Sequence, residues 1–358
     1  MTTTDDRLVP AYHQLLLRVA GWAPDDTVSA ARGLLAEGRI AETAGAILAT
    51  VLADRVPIRP DDAELLVQTL PDVPAVVQLA SAVPATDERA RPAYDFAPVL
   101  MSPSTAPPPL VLDLTAPGSD LDAADEAAVA ALGQLPDAVA LWRVWRSPHA
   151  DRTDAGPVRV YLLETAADAA QLPGATAWLQ QTLVAAGVSD PQVETYGPGV
   201  TLPAYQQAAR GQAALLWAAE APRPVPIARV FDSYHPALGG QFAADHPTLS
   251  AGDEAARVLA YLDAGEVLLA TTAREGDVFD QEAGLVVPMS FRTDGTWIWT
   301  DTVAYYLRTY ALSPDAELLA HIRALDHRFP AVDAVRAHRA MVALTSPAPA
   351  AEAPAGRG

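Results

Sequence analysis

Asp232, His235, Asp245 and His246 place two imidazoles and two carboxylates within fifteen residues. That donor set suits zinc or another divalent ion, and with it a metal-assisted or carboxylate/His hydrolase. The spacing matches no HExxH pair or other metal motif, and Gly239-Gly240 beside it favours a polar surface loop. A second acidic stretch runs from Arg274-Glu275-Gly276-Asp277 to Asp280-Gln281-Glu282. Its carboxylates could take a hard cation, but the EF-hand pattern is absent, and a solvated loop between strands explains the composition as well.

A different kind of chemistry is offered by Arg292, Trp297, Trp299, Tyr305 and Arg308. Side chains alternate along a strand, so Trp297 and Trp299 should share one face. Trp, Tyr and Arg dominate the energetics of protein interfaces, which makes these five residues a predicted partner-binding face. The competing reading is that both indoles pack inward as core. Trp142 and Trp145 lie three apart on another predicted strand and should face opposite sides.

What is missing narrows the chemistry further. The 358 residues contain no lysine, asparagine or cysteine. Cysteine nucleophiles, thiolate metal sites, disulfides, Schiff-base lysines and Walker A phosphate loops are therefore excluded. The seven histidines leave a Ser-His-Asp set possible by inventory, yet no GxSxG elbow occurs. Gly197-Pro198-Gly199 follows a predicted strand, but the proline removes an N–H that a phosphate would need. No catalytic residue and no cofactor is assigned. Abundant Ala and Arg with Lys and Asn absent is the pattern of GC-rich coding; protection from lysine conjugation in a structural or assembly component is the alternative.

The formal charge is −20, from 24 arginines against 44 carboxylates. It opposes both a nucleic-acid backbone and an anionic membrane surface, and would steer a basic protein toward the chain. No run reaches the ~20 apolar residues of a membrane span. The polar, acidic start has no signal-peptide pattern, which predicts a cytoplasmic protein.

The elements that must position these residues read as α+β. Residues 1–84 show helical spacing, with Tyr12, Leu15, Leu16 and Val19 as one stripe, and form a predicted helical domain. Residues 85–109 form a Pro-rich linker around Pro103–Pro109. Residues 110–221 mix strands and helices in the manner of a ferredoxin-like sandwich, including a helix over Pro203–Ala219. A second stiff linker, 222–226, precedes a mixed domain over 227–345. There Asp294-Gly295 marks the turn of a hairpin spanning 285–300, and residues 346–358 form a disordered tail. The expectation is a non-catalytic cytoplasmic binding or regulatory protein, such as an acidic inhibitor or immunity-type partner of a basic protein.

Overall fold

The computed structural model describes residues 4–71, 79, 94–100, 109–135, 137–148 and 156–346. The run 103–108 and the tail from 347 lie outside the described residues. The fold is mixed α+β and divides into two compact units, Met1–Ala221 and Pro222–Gly358. Among the described residues, no helix is long and apolar enough to cross a membrane.

The first unit begins with helices α1 (Thr4–Val19), α2 (Asp25–Ala36), α3 (Ile40–Ala53) and α4 (Pro60–Thr69). Its sheet contains β1 (Tyr94–Ala97), β2 (Leu112–Asp113), β3 (Ala138–Pro148), β4 (Val158–Thr165), β5 (Gln192–Tyr196) and β6 (Ala214–Ala218). Between them run α5 (Ala123–Ala131), α6 (Leu172–Ala185) and α7 (Ala204–Gly211). The order is β2-β6-β3-β4-β5, with β1 also pairing β3. β4 and β5 lie side by side and parallel, joined through α6, and β2 is parallel to β6. A ferredoxin-like sheet instead separates its parallel strands, so the middle region is a different mixed sheet.

Two segments depart from the sequence reading. Helix α7 stops at Gly211, and Ala214-Leu215-Leu216-Trp217-Ala218 becomes β6. A short apolar run fits either element; lying between β2 and β3 settles it as a strand. Tyr94–Ala97, inside the predicted linker, pairs with Trp145–Pro148.

Helices α5 and α6 cover one sheet face, packing Ala128, Leu179 and Leu183 on Leu141, Tyr161 and Val193. Helices α1 and α2 tie to β5 through buried polar bonds. His13 Nε2 lies 2.8 Å from the Thr195 carbonyl, and Arg32 donates to Glu194 at 2.6 Å. Both Arg32 and Glu194 are only 2% exposed. Trp142 is fully buried, whereas Trp145 is half-buried beneath the Arg159 guanidinium, 4.6 Å from its ring. Arg143 and Arg146 are internal: they pair with Asp125 and Asp25.

The second unit holds β7 (Ser233–His235), β8 (Gly239–Gln241), α8 (Asp253–Ala264), β9 (Glu266–Leu269), β10 (Arg274–Gly276), β11 (Leu285–Pro288), β12 (Phe291–Thr293) and β13 (Ile298–Thr300). Helices α9 (Asp301–Tyr310), α10 (Ala316–Ala324) and α11 (Ala334–Thr345) follow. Its core sets Val258, Tyr261 and Leu262 of α8 against Trp299, Val303, Leu307, Leu318 and Ile322. The Asp294-Gly295 turn does join two strands, but the hairpin starts at Phe291. Leu285–Pro288 pairs instead with Arg274–Gly276. The turn is a four-residue loop in which Asp294 accepts the N–H groups of Thr296 and Trp297, each at 2.8 Å.

Candidate functional site

The four predicted metal ligands do not converge. Asp232 Oδ2 accepts the Ala243 N–H at 2.7 Å and lies 2.9 Å from His246 Nδ1. The Ala243 N–H first, and His246 second, hold the Asp232 carboxyl below its ordinary range. His246 Nε2 lies 3.1 Å from the Ser313 carbonyl, and its ring packs edge-on against Phe242. Both imidazole nitrogens are thus engaged in tying this loop down. His235 ends β7 in solvent with Nδ1 accepting the Ala237 N–H, and Asp245 is exposed. Among the described residues, no group of three or more His, Asp or Glu side chains is placed to hold a metal.

The predicted aromatic face is also divided. Trp299 is fully buried, and its Nε1 donates to the Leu262 carbonyl at 3.2 Å. Its ring presses on Gly265, where a Cβ would sit 2.4 Å from the indole, so only glycine fits. Trp299 therefore offers no surface to a partner. Trp297 precedes the strand: β13 begins at Ile298, so the alternation that was to align the two indoles never starts. It sits half-buried near His321, itself 2.6 Å from the buried Asp294. Arg292 donates to Asp301 at 2.5 Å and to the carbonyls of Asp263 and Gly265. Arg308 pairs with the Asp263 carboxylate at 2.8 Å. Tyr305 donates to Asp277 at 2.8 Å. Arg308 alone of the five is mostly exposed.

The surface that stands out was read from sequence only as an acidic loop. Asp277 is buried at the tip between β10 and β11. Burial opposes its ionisation. The Tyr310 hydroxyl, the Phe279 N–H and the Tyr305 hydroxyl outweigh that and hold its carboxyl below the usual range. The Tyr306 hydroxyl accepts the Val278 N–H at 3.2 Å. Three tyrosines of α9 thus fix the backbone that carries Phe279. That ring stacks on Phe242, with centroids 5.6 Å apart and planes 14° apart, and lies 4.8 Å from Tyr310. It remains 53% exposed. In the same strand and loop Glu275, Asp280 and Glu282 are exposed and form no ion pair with an arginine among the described residues, while Asp280 accepts the N–H groups of Glu282 and Ala283. The i, i+1, i+5 spacing of Tyr305, Tyr306 and Tyr310 was the available signal. What it supports, a residue 28 positions away, has no local signature.

The comparisons add no relative: no family model, curated protein or solved structure matches the chain.

Proposed function

We propose that this chain is a non-catalytic binding protein, of regulatory or inhibitory type, whose C-terminal unit takes up a basic protein partner. The observation that carries this reading is Phe279, half exposed on a rigid aromatic base, in a strand–loop segment whose exposed carboxylates Glu275, Asp280 and Glu282 pair with no arginine among the described residues. An aromatic already held in place loses little freedom on binding, so more of its burial becomes affinity. Unpaired carboxylates attract and orient a cationic surface and disfavour an acidic one. A metal-assisted hydrolase would need Asp232, His235, Asp245 and His246 to meet; only Asp232 and His246 do.

The test uses the full chain as bait at micromolar concentration, followed by titration of the purified captured protein. The partner is expected to be basic and its affinity to fall with salt. Phe279→Ala should weaken binding at least tenfold with an unchanged thermal midpoint. Failure to retain any protein, or an acidic partner indifferent to Phe279→Ala, refutes the reading.

A further inference from the structure

Residues 266–293 form one long antiparallel ribbon. Leu269, Val267 and Glu266 of β9 pair with Phe291, Arg292 and Thr293 of β12. Arg274 and Glu275 of β10 pair with Pro288 and Val287 of β11. Between the two ladders the Ser290 hydroxyl accepts the Thr271 N–H at 3.2 Å and donates to the Thr271 carbonyl at 3.4 Å. The strands on one side are covered, since β12 pairs onward with β13 and β11 packs on α9.

The other edge, 266–276, has no strand partner among the described residues. Helix α11 approaches β9, yet Val267 and Leu269 remain 47% and 44% exposed, and every other residue from 266 to 276 except Leu268 is exposed. Native edges are usually blunted by lysine, proline, a buried charge, short strands or bulges. Here the strands have four and three residues, and each ladder has one register shift, between Phe291 and Arg292 and between Glu275 and Gly276. This chain has no lysine, and 266–276 has no proline.

We infer that this edge accepts an extended, arginine- or lysine-bearing segment of the basic partner as an added strand. The inference rests on the binding reading above and names how the partner docks. Strand addition draws affinity from main-chain hydrogen bonds and selectivity from alternate side chains. Val267 and Leu269, which flank the register shift opposite Arg292 and Phe291, supply the apolar contacts. Charge decides the partner's sign: Glu275, Asp280 and Glu282 are exposed with no arginine partner among the described residues, and Arg274 donates to the Val286 carbonyl.

The experiment titrates the full chain with a decapeptide of alternating valine and arginine, and with a twin whose alternate amides are N-methylated. Charge and side chains are the same in both; only the parent can build a ladder. The parent is expected to bind and to protect the amides of 266–276 from exchange. The twin should bind at least tenfold more weakly, and Val267→Lys with Leu269→Lys should abolish binding of the parent. Equal binding of the two peptides overturns strand addition while leaving attraction of basic segments intact. Absence of binding by the parent overturns it also. A dimer of the full chain dissolved by Val267→Lys would assign the edge to a second copy and overturn it equally.

Discussion

Raising the pH isolates the tyrosines, because a chain without lysine or cysteine has no other side chain that ionises between about pH 8 and about pH 12. In the first unit Tyr161, Tyr196 and Tyr205 are 0%, 1% and 3% exposed. Burial pushes all three hydroxyls up. At Tyr161 the Asp125 carboxylate, 2.8 Å away, adds to that shift and Arg159 opposes it; at Tyr205 Arg146 opposes it. A group with a raised folded-state pKa contributes stability below its unfolded value, near 10, and loses it as pH rises further. A tyrosine kept neutral in the fold costs about 1.4 kcal/mol at pH 11 and about 2.7 kcal/mol at pH 12, from the ionisation its unfolded form gains. For three residues this is about 4 and about 8 kcal/mol, against a typical domain stability of about 5–15 kcal/mol. The first unit should therefore unfold cooperatively between about pH 11 and about pH 12. Near-ultraviolet phenolate absorbance and far-ultraviolet circular dichroism, followed together, test this. The last part of the absorbance rise should coincide with loss of secondary structure. A smooth titration of all ten tyrosines centred near 10, with the dichroism intact, would refute the reasoning.

Two further perturbations probe the ties between the N-terminal helices and β5. Burial lowers the pKa of His13 to about 4, against an opposing bond to the Thr195 carbonyl. Its neutral form is favoured in the fold, so stability is complete above about pH 6.5 and declines by about 3 kcal/mol as pH falls toward 4. His13→Gln keeps an amide donor for that carbonyl and should remove this slope; urea unfolding at pH 7 and pH 5 with equal slopes in both proteins would contradict it. At the Arg32–Glu194 pair, Arg32→Ala leaves a buried carboxylate with Gln206 as its donor and should cost about 3–5 kcal/mol. Arg32→Met with Glu194→Leu should recover most of that loss. A double-mutant cycle of unfolding free energies with no coupling would show that the pair does not act as a unit.

Periodicity made much of the fold legible. The i, i+3, i+4 apolar spacing located the first helices, and alternation located β3. The Asp294-Gly295 signal found its turn. What local pattern could not supply was the partner. Leu285–Pro288 and the residues from Phe291 onward look alike as strands, yet they join different ladders. By type and position Arg143 and Arg146 make a basic spot in an acidic domain, open to internal ion pairing, but local sequence does not name the partners. Their carboxylates come from 18 and 121 positions away and make both internal. The His and Asp residues of 232–246 were grouped by proximity in sequence; Asp232 and His246 do meet, while their other hydrogen bonds and that of His235 go to Ala243, Ser313 and Ala237. Trp299 looked like a contact residue because its type is common at interfaces, and such statistics carry no information on which face is packed.

Using arginine as the sole basic residue has a consequence for where negative charge is left over. A guanidinium presents several donors in a fixed plane, so one side chain can serve several acceptors, whereas an ammonium acts as a point charge. Arg159 bonds Asp122 and the Tyr161 hydroxyl and stacks on Trp145. Arg292 serves Asp301 and two carbonyls, and Arg146 serves Asp25 and Tyr205. These arginines are consumed as internal staples in partly or fully buried settings, where a broken pair is costly. The carboxylates outnumber them by 20, so the surplus must lie at the surface. On the ribbon, Glu275, Asp280 and Glu282 pair with no arginine among the described residues, and Arg274 spends its guanidinium on the Val286 carbonyl. On the proposed reading, a basic segment added as a strand beside β9 would bring the cations that these carboxylates lack.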